Sequence, residues 1–248
     1  MQAKPPLEDT LALVRDLRAR CDWDAAQTHE SLRPYVIEEA FEVDDAIRSG
    51  DDVRLREELG DLLFQVLFHS VIAQERGAFT FADVADGFVT KMKARHPHLY
   101  GDGAKQPWEQ MKARKRANIA EGLHSNLPAL HRAFRLQDRA AGVGFDWPDV
   151  DGPIQKIEEE LLEVRAELVD AVPDAAATKR LEDELGDLLF SVVNLCRKAG
   201  VHPALAMDRA NDKFSRRFTA VERVAAERGL TVGKATLEEL DAIWNEVK

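Results

Sequence analysis

Two sets of carboxylates recur in this chain at spacings that place them on one side of paired helices. In the first set Glu39 and Glu42 are three residues apart, and Glu38 and Glu42 are four apart. On a helix of 3.6 residues per turn, all three fall within about 100° of one face. Glu58 and Asp61 repeat the three-residue spacing a short way downstream. Glu159, Glu160, Glu163, Glu184 and Asp187 reproduce the pattern in the second half. If each EExxE helix pairs antiparallel with its ExxD helix across a short loop, the five carboxylates of a set converge. Oxygen-only donors select hard cations, so the expected ion is Mg²⁺, with Mn²⁺ as a substitute.

A solvated acidic face is the ordinary reading of helical glutamates, and two features weigh against it. Each ExxD pair opens directly into an apolar helix, at the edge of a core, where unpaired like charges are costly. Gly60 and Gly186 also recur in mid-helix. A glycine there costs about 1 kcal/mol relative to alanine, which suggests a close approach of helices or ligand. A di-iron bundle expects Glu-x-x-His pairs, and the pair Glu121–His124 lies outside the acidic helices. Phosphate is the natural partner of such a metal site. Lys213 and Arg217 stand four apart, as do Lys91 and Arg95, and an arginine can grip two phosphate oxygens at once.

The elements that must carry these residues are repeated. Glu57-Glu58-Leu59-Gly60-Asp61-Leu62-Leu63-Phe64 returns as Asp183-Glu184-Leu185-Gly186-Asp187-Leu188-Leu189-Phe190, and Asp22-Trp23-Asp24 has an echo in Phe145-Asp146-Trp147. The order of these features is the same in both halves, which marks an internal duplication. A split near residue 122, ahead of Asn126-Leu127-Pro128, gives modules 1–122 and 123–248.

Apolar spacing predicts helices over 34–48 and 53–75, with Pro34 in a first turn. Leu62 to Ile72 is apolar on nearly all sides and reads as buried. Thr80 is the expected cap of a third helix. Residues 153–171, 178–199 and 203–228 match these three, and 236–247 forms a closing helix. No run alternates with period two, so the expected fold is all-α, two tandem four-helix-bundle-like modules. On the closing helix Trp244 joins Leu237, Leu240, Ile243 and Val247 in an apolar stripe, and on periodicity alone it is a core anchor. Trp23 and Trp147 read as structural.

Composition narrows the partners. A net charge of -11, with 32% charged and 7% aromatic residues, disfavours general nucleic-acid binding. The stretch from Lys91 to Ala117 is basic, but its aromatics are only Tyr100 and Trp108, too sparse for base stacking. His96-Pro97-His98 within it reads as loop. Two distant cysteines suit a reducing cytoplasm, and neither a signal peptide nor a membrane span is expected.

The EExxE…ExxD pattern on two helices resembles the MazG-type all-α nucleoside triphosphate pyrophosphohydrolases, over nearly the whole chain and in their tandem form. Cys21-Asp22-Trp23-Asp24 with Gln27-Thr28-His29 is similar to that family's CPWD…QTH segment, with Asp22 in place of the usual proline. The resemblance implies Mg²⁺-dependent hydrolysis of nucleoside triphosphates to monophosphate and pyrophosphate by a homodimer, in broad-specificity house-cleaning or control of the nucleotide pool. It makes the second module the main catalytic one. By motif position, Glu160, Glu163, Glu184 and Asp187 would hold metal. Lys156, Glu159, Arg180, Asp183, Lys213, Arg216, Arg217 and Trp244 would contact nucleotide. Arg180 and Asp183 stand where lysine and glutamate are expected. Glu159, outside the metal set, would orient or deprotonate the attacking water. Glu38, Glu39, Glu42, Glu58, Asp61, Lys91 and Arg95 are the first-module equivalents. Rival readings are a dUTP or phosphoribosyl-ATP pyrophosphohydrolase, and a non-catalytic nucleotide-binding scaffold.

Overall fold

The computed structural model describes residues 7–105, 109, 113, 116–170 and 175–248. Among them are eleven helices and no strand. The chain forms two compact units, Met1–Lys105 and Gln106–Lys248. That division falls earlier than the expected one near 122, for a physical reason. Glu109 pairs with Arg116 at 3.0 Å and Arg135 at 2.8 Å, and Arg139 donates to the carbonyls of Ile119 and Glu121. Those bonds tie the segment to the second unit. Trp108 lies outside the described residues.

The first unit contains α1 (Leu7–Arg20), α2 (Asp22–Ala26), α3 (His29–Ser49), α4 (Asp52–Glu75), α5 (Phe81–Arg95) and α6 (Pro97–Tyr100). Helix α3 begins five residues before the expected start, because Thr28 and Ser31 form a reciprocal capping box. Pro34 is therefore inside the helix rather than in its first turn, and the hydrogen bond to the carbonyl of Glu30 is lost. Gly50, at φ 69°, ends α3, and the Asp51 carboxylate accepts from Val53 and Arg54 to start α4. So short a link makes α3 and α4 an antiparallel hairpin. Thr80 caps α5 as expected, through a box with Asp83. His96 ends α5, and His98 sits in the short α6 rather than in a loop.

Val14, Leu32, Leu67, Phe68, Val71 and Ile72 make the first core. Arg18 ties α1 to it: one nitrogen donates to the carbonyls of Asp24, Ala25 and Gln27, and the group pairs with Glu75 at 2.9 Å. Helix α4 is not buried all round, however. Leu59, Leu63 and Val66 form an exposed apolar stripe.

The second unit contains α7 (Ala129–Gly142), α8 (Asp151–Asp170), α9 (Ala175–Lys198), α10 (Pro203–Glu227) and α11 (Leu237–Glu246). Helices α8 and α9 pack together as α3 and α4 do. Val221, Ala225 and Ile243 form a small core between α10 and α11, with Val224, Leu240 and Trp244 against it. Among the described residues no helix is long and apolar enough to cross a membrane.

Candidate functional site

Each helix hairpin gathers carboxylates, but three at a time rather than five. In the first unit oxygens of Glu39, Glu58 and Asp61 lie within 4.8 Å of one another; in the second those of Glu160, Glu163 and Glu184 do. Helical spacing on α3 and α8 supplies the first members, and the antiparallel return of α4 and α9 brings the others opposite. Together the two triplets use all four positions of the motif. Glu42 is absent from the first triplet yet hydrogen-bonds to Glu39. Asp187 is the position absent from the second.

Electrostatics show what the clustering costs. The Glu39 carboxyl is pushed up by burial, then by the charges of Asp61, Glu42 and Glu58. Glu163 is pushed up by its hydrogen bond to Glu160, with burial and the charges of Glu160 and Glu184 adding to it. Glu160 moves down, because Lys156 hydrogen-bonds to it. The two carboxyls of the pair are thus pushed in opposite directions, Glu160 down by its lysine and Glu163 up by its carboxylate neighbours. Glu160 is 4% exposed, and its Oε2 has no hydrogen-bond partner; the Oε2 of Glu39 is also buried and unpartnered. A buried carboxylate oxygen without a donor, inside an all-oxygen cluster, fits a hard cation.

Lys156 stands one turn before this cluster on α8, at 2.8 Å from Glu159 and 2.7 Å from Glu160, and both bonds push its pKa up. Tyr35 occupies the corresponding place in the first unit. Glu159 is outside the triplet, mostly exposed and tied to Lys156. Its counterpart Glu38 is outside the first triplet as well.

The remaining expected residues spread over other helices. Arg180 pairs with Glu167 across the α8–α9 hairpin at 2.9 Å. Asp183 is exposed, one residue before Glu184. Lys213 and Arg216 line an open groove on α10 with Arg209 and Asp212. Arg217 instead lies over the Trp244 ring, 5.9 Å from its centre, and Phe214 packs against the same ring at 5.5 Å. Among the described residues no ion pair joins Lys213, Arg216 or Arg217 to the second triplet. Lys91 and Arg95 are one turn apart at the end of α5. Of the two close approaches that Gly60 and Gly186 suggest, helix or ligand, the helix one is not found: a Cβ at either meets nothing of this chain within 4 Å.

The DW segment of the second unit proves to be a built structure that residue types alone did not reveal. Asp146 is held by Arg197, and by Lys198 at 3.2 Å, so its pKa is pushed down chiefly by the Arg197 hydrogen bond. Trp147 rests on Gly152, where a Cβ would come within 2.4 Å of the indole. The recurrence of DW in both halves was the one available signal.

The described geometry agrees with the comparisons to known proteins. A family model described as MazG nucleotide pyrophosphohydrolase domain matches residues 27–100 and 153–221. Over 247 residues the chain is 43% identical to the nucleoside triphosphate pyrophosphohydrolase of Escherichia coli K12, covering 95% of this chain and 93% of that one. It is 42% identical over 251 residues to the Thermotoga maritima nucleoside triphosphate pyrophosphohydrolase/pyrophosphatase MazG, covering 97% and 95%. The Mycobacterium tuberculosis nucleoside triphosphate pyrophosphohydrolase is 39% identical over 184 residues, covering 70% of this chain and 54% of that protein. With both acidic hairpins inside the matched segments, the chain belongs to the MazG nucleotide pyrophosphohydrolase family.

Proposed function

We propose that this protein hydrolyses nucleoside triphosphates to nucleoside monophosphate and pyrophosphate, using Mg²⁺ held in the second unit by Glu160, Glu163 and Glu184, with Asp187 completing the set. The observation that carries this reading is the buried, unpartnered Oε2 of Glu160 inside an oxygen-only triplet. A cation held there would supply neutralisation of triphosphate charge and a lowered pKa for bound water. The protein's own groups do the rest. Lys156, one turn before the cluster and now paired with Glu159 and Glu160, would be the cation of this helix placed to meet a substrate phosphate. Glu159 keeps a carboxylate beside the cluster to orient or deprotonate water. Lys213, Arg216 and Arg217 on α10 supply positive charge for the leaving pyrophosphate, and Trp244, fixed by Arg217 and Phe214, offers a ring face to the nucleotide. Water adds at the α-phosphorus as the bond to the bridging oxygen breaks, and that oxygen leaves with pyrophosphate.

Pyrophosphate release from a panel of NTPs and dNTPs, with and without chelator, tests the activity. Release that needs Mg²⁺ and yields monophosphate supports it; orthophosphate release contradicts it. Turnover by Glu159→Gln with metal binding unchanged would remove Glu159 from the proposed chemistry.

Assembly follows from surface chemistry. Ile37, Phe41, Leu59, Leu63 and Val66 on the first hairpin, and Leu161, Leu162, Leu185 and Leu189 on the second, are all exposed. Apolar surface this continuous marks an interface, and we assign it to a homodimer. The free thiols Cys21 and Cys196 suit a cytoplasmic setting.

A further inference from the structure

Gln27-Thr28-His29 leads into α3, and its histidine meets His69 on α4. Their Nδ1 atoms are 2.7 Å apart, the ring centres 5.0 Å apart, and the ring planes within 7° of parallel. With the nitrogens so close, the ring centres reach that separation only when the two nitrogens point at one another. The rings therefore lie edge to edge in nearly one plane, the geometry of an N–H···N hydrogen bond rather than of a face-to-face stack. One imidazole donates its Nδ1 proton, and the other accepts on a bare Nδ1.

This bond closes the open end of the first hairpin. Gly50 and Asp51 link α3 to α4, and His29 is the first residue of α3, at the far end from that link. The segment before it is fixed independently. Thr28 and Ser31 cap the helix, Ser31 Oγ donates to Gln27 Oε1 at 2.7 Å, and Arg18 donates to the Gln27 carbonyl at 2.8 Å.

The duplication supplies a control. The open end of the second hairpin is closed by charge: Asp146, just before α8, is held by Arg197 and Lys198 at the end of α9. Aligning Phe64 with Phe190 sets Val71 and Ile72 in the places of Arg197 and Lys198. Both are core residues, 4% and 5% exposed, so the first unit has no cation at either place to repeat the clamp. The two closures answer acid differently. The Asp146 carboxyl is pushed below 3.8, chiefly by its Arg197 hydrogen bond, so that clamp persists through mild acid. Histidines titrate near neutrality.

The neutral pair holds one proton between its facing nitrogens. A first added proton goes to the bare Nε2 of the donor ring, and the imidazolium so formed still donates to its neutral partner. A second must go to the accepting Nδ1. Two N–H groups on two cations then face each other, and the bond gives way to repulsion. His69 is pushed below 6.5 first by burial and then by the charge of His29. Charges near the pair come from several elements. On α3, Glu30 feels His29 and also Arg76, which follows α4, and Arg33 stands one turn further on. Helix α1 contributes Arg18, paired with Glu75 of α4; α2 contributes the buried Asp24, and α5 contributes Asp83, held by Thr80. Glu30 favours one charge on the pair, but it cannot mend a contact in which both nitrogens carry protons.

We propose that His29 and His69 form an acid-sensitive latch on the first hairpin, closed until both rings are charged, while the Asp146 clamp keeps the second hairpin shut. Because His69 is depressed, its contribution is complete above 6.5 and is lost as pH falls through the folded value. Release frees the first turns of α3, about 15 Å along the helix from Glu39. The first unit thus loosens from its open end in acid, and the second does not.

Hydrogen exchange of the full chain at about pH 7.5 and about pH 5.5, corrected for the intrinsic pH dependence of exchange, tests this on either side of the ordinary histidine value. The first intrahelical bonds run from Leu32 to Thr28 in α3 and from Ile154 to Val150 at α8. Protection over 32–38 should fall about tenfold in acid, the effect of one pKa unit, with no change over 154–160. His69→Gln, which cannot take up the proton, should show equal protection at both pH values. The imidazoles of His131 and His202 meet between α7 and the start of α10, outside both peptides. Unchanged protection over 32–38 in the wild type, or an acid loss that survives His69→Gln, overturns the latch. An equal loss over 154–160 marks general acid weakening and overturns it too. Imidazole NMR of the wild type needs no variant: two separate steps, the lower below 6.5, support the shared bond, and two rings titrating independently at one value contradict it.

Discussion

The Glu163 carboxyl is pushed up by its hydrogen bond to Glu160 and by the charges of Glu160 and Glu184, so protons and a cation compete for the cluster. Metal binding should therefore release protons and weaken as pH falls, and calorimetry in two buffers of different ionisation enthalpy measures the release. The same carboxyls set a stability trend. Glu39 and Glu163 lie above their ordinary value of 4.5, so the folded chain binds their protons more tightly than the unfolded one. That contribution is complete below 4.5 and is lost as pH rises through the folded values. Without Mg²⁺ at neutral pH, Glu163→Gln should raise Tm, and added Mg²⁺ should stabilise the variant less than the wild type. Asp146 has the opposite sign. Its pKa is depressed below 3.8, so its contribution is present above that value and lost as pH falls through the folded one. Asp146→Asn should lower Tm at neutral pH, and the gap should close in acid. The clustering of the carboxylates was legible at this scale because spacing on a helix fixes direction. The lysine clamp on Glu160 was legible only as a possible nucleotide contact. Gln137 was not legible at all, because nothing in a lone glutamine some fifty residues from Phe190 signals that they will meet.

Helices were the most readable elements, since period and caps act locally. Thr80 announced α5, and the closing α11 opens on the Thr236–Glu239 box. Thr236→Ala should cost about 1 kcal/mol, and should raise KM as well if Trp244 meets nucleotide. The start of α3 was misplaced because its box uses Ser31 rather than glutamate or glutamine, which left Pro34 as the more visible marker. Gly60 and Gly186 suggested close packing, yet each Cβ would meet open space. Gly186→Ala should therefore stabilise α9 by about 1 kcal/mol and raise Tm by roughly 2–4 °C. Loss of activity in that stabilised variant would show ligand, rather than packing, to be the reason for glycine.

At the scale of the whole molecule, duplication in the sequence revealed two acidic hairpins but not how they differ. The first unit fills with Phe68 and Val71 the positions that border a cavity in the second, and it has Tyr35 where the second has Lys156. The two compact units divide at Lys105 rather than near 122, with Glu109 ion-paired to Arg135 and Arg139 hydrogen-bonded to the Ile119 and Glu121 carbonyls inside the second unit. Leu189→Asp, on the exposed apolar stripe of α9, should shift the protein from dimer to monomer in sedimentation. The central claim, that the second hairpin carries the chemistry, is tested most directly by pyrophosphate release from an NTP panel in Glu39→Gln and Glu160→Gln. The expected result is near-complete loss in Glu160→Gln with most activity kept in Glu39→Gln; full activity in Glu160→Gln with loss in Glu39→Gln would contradict it.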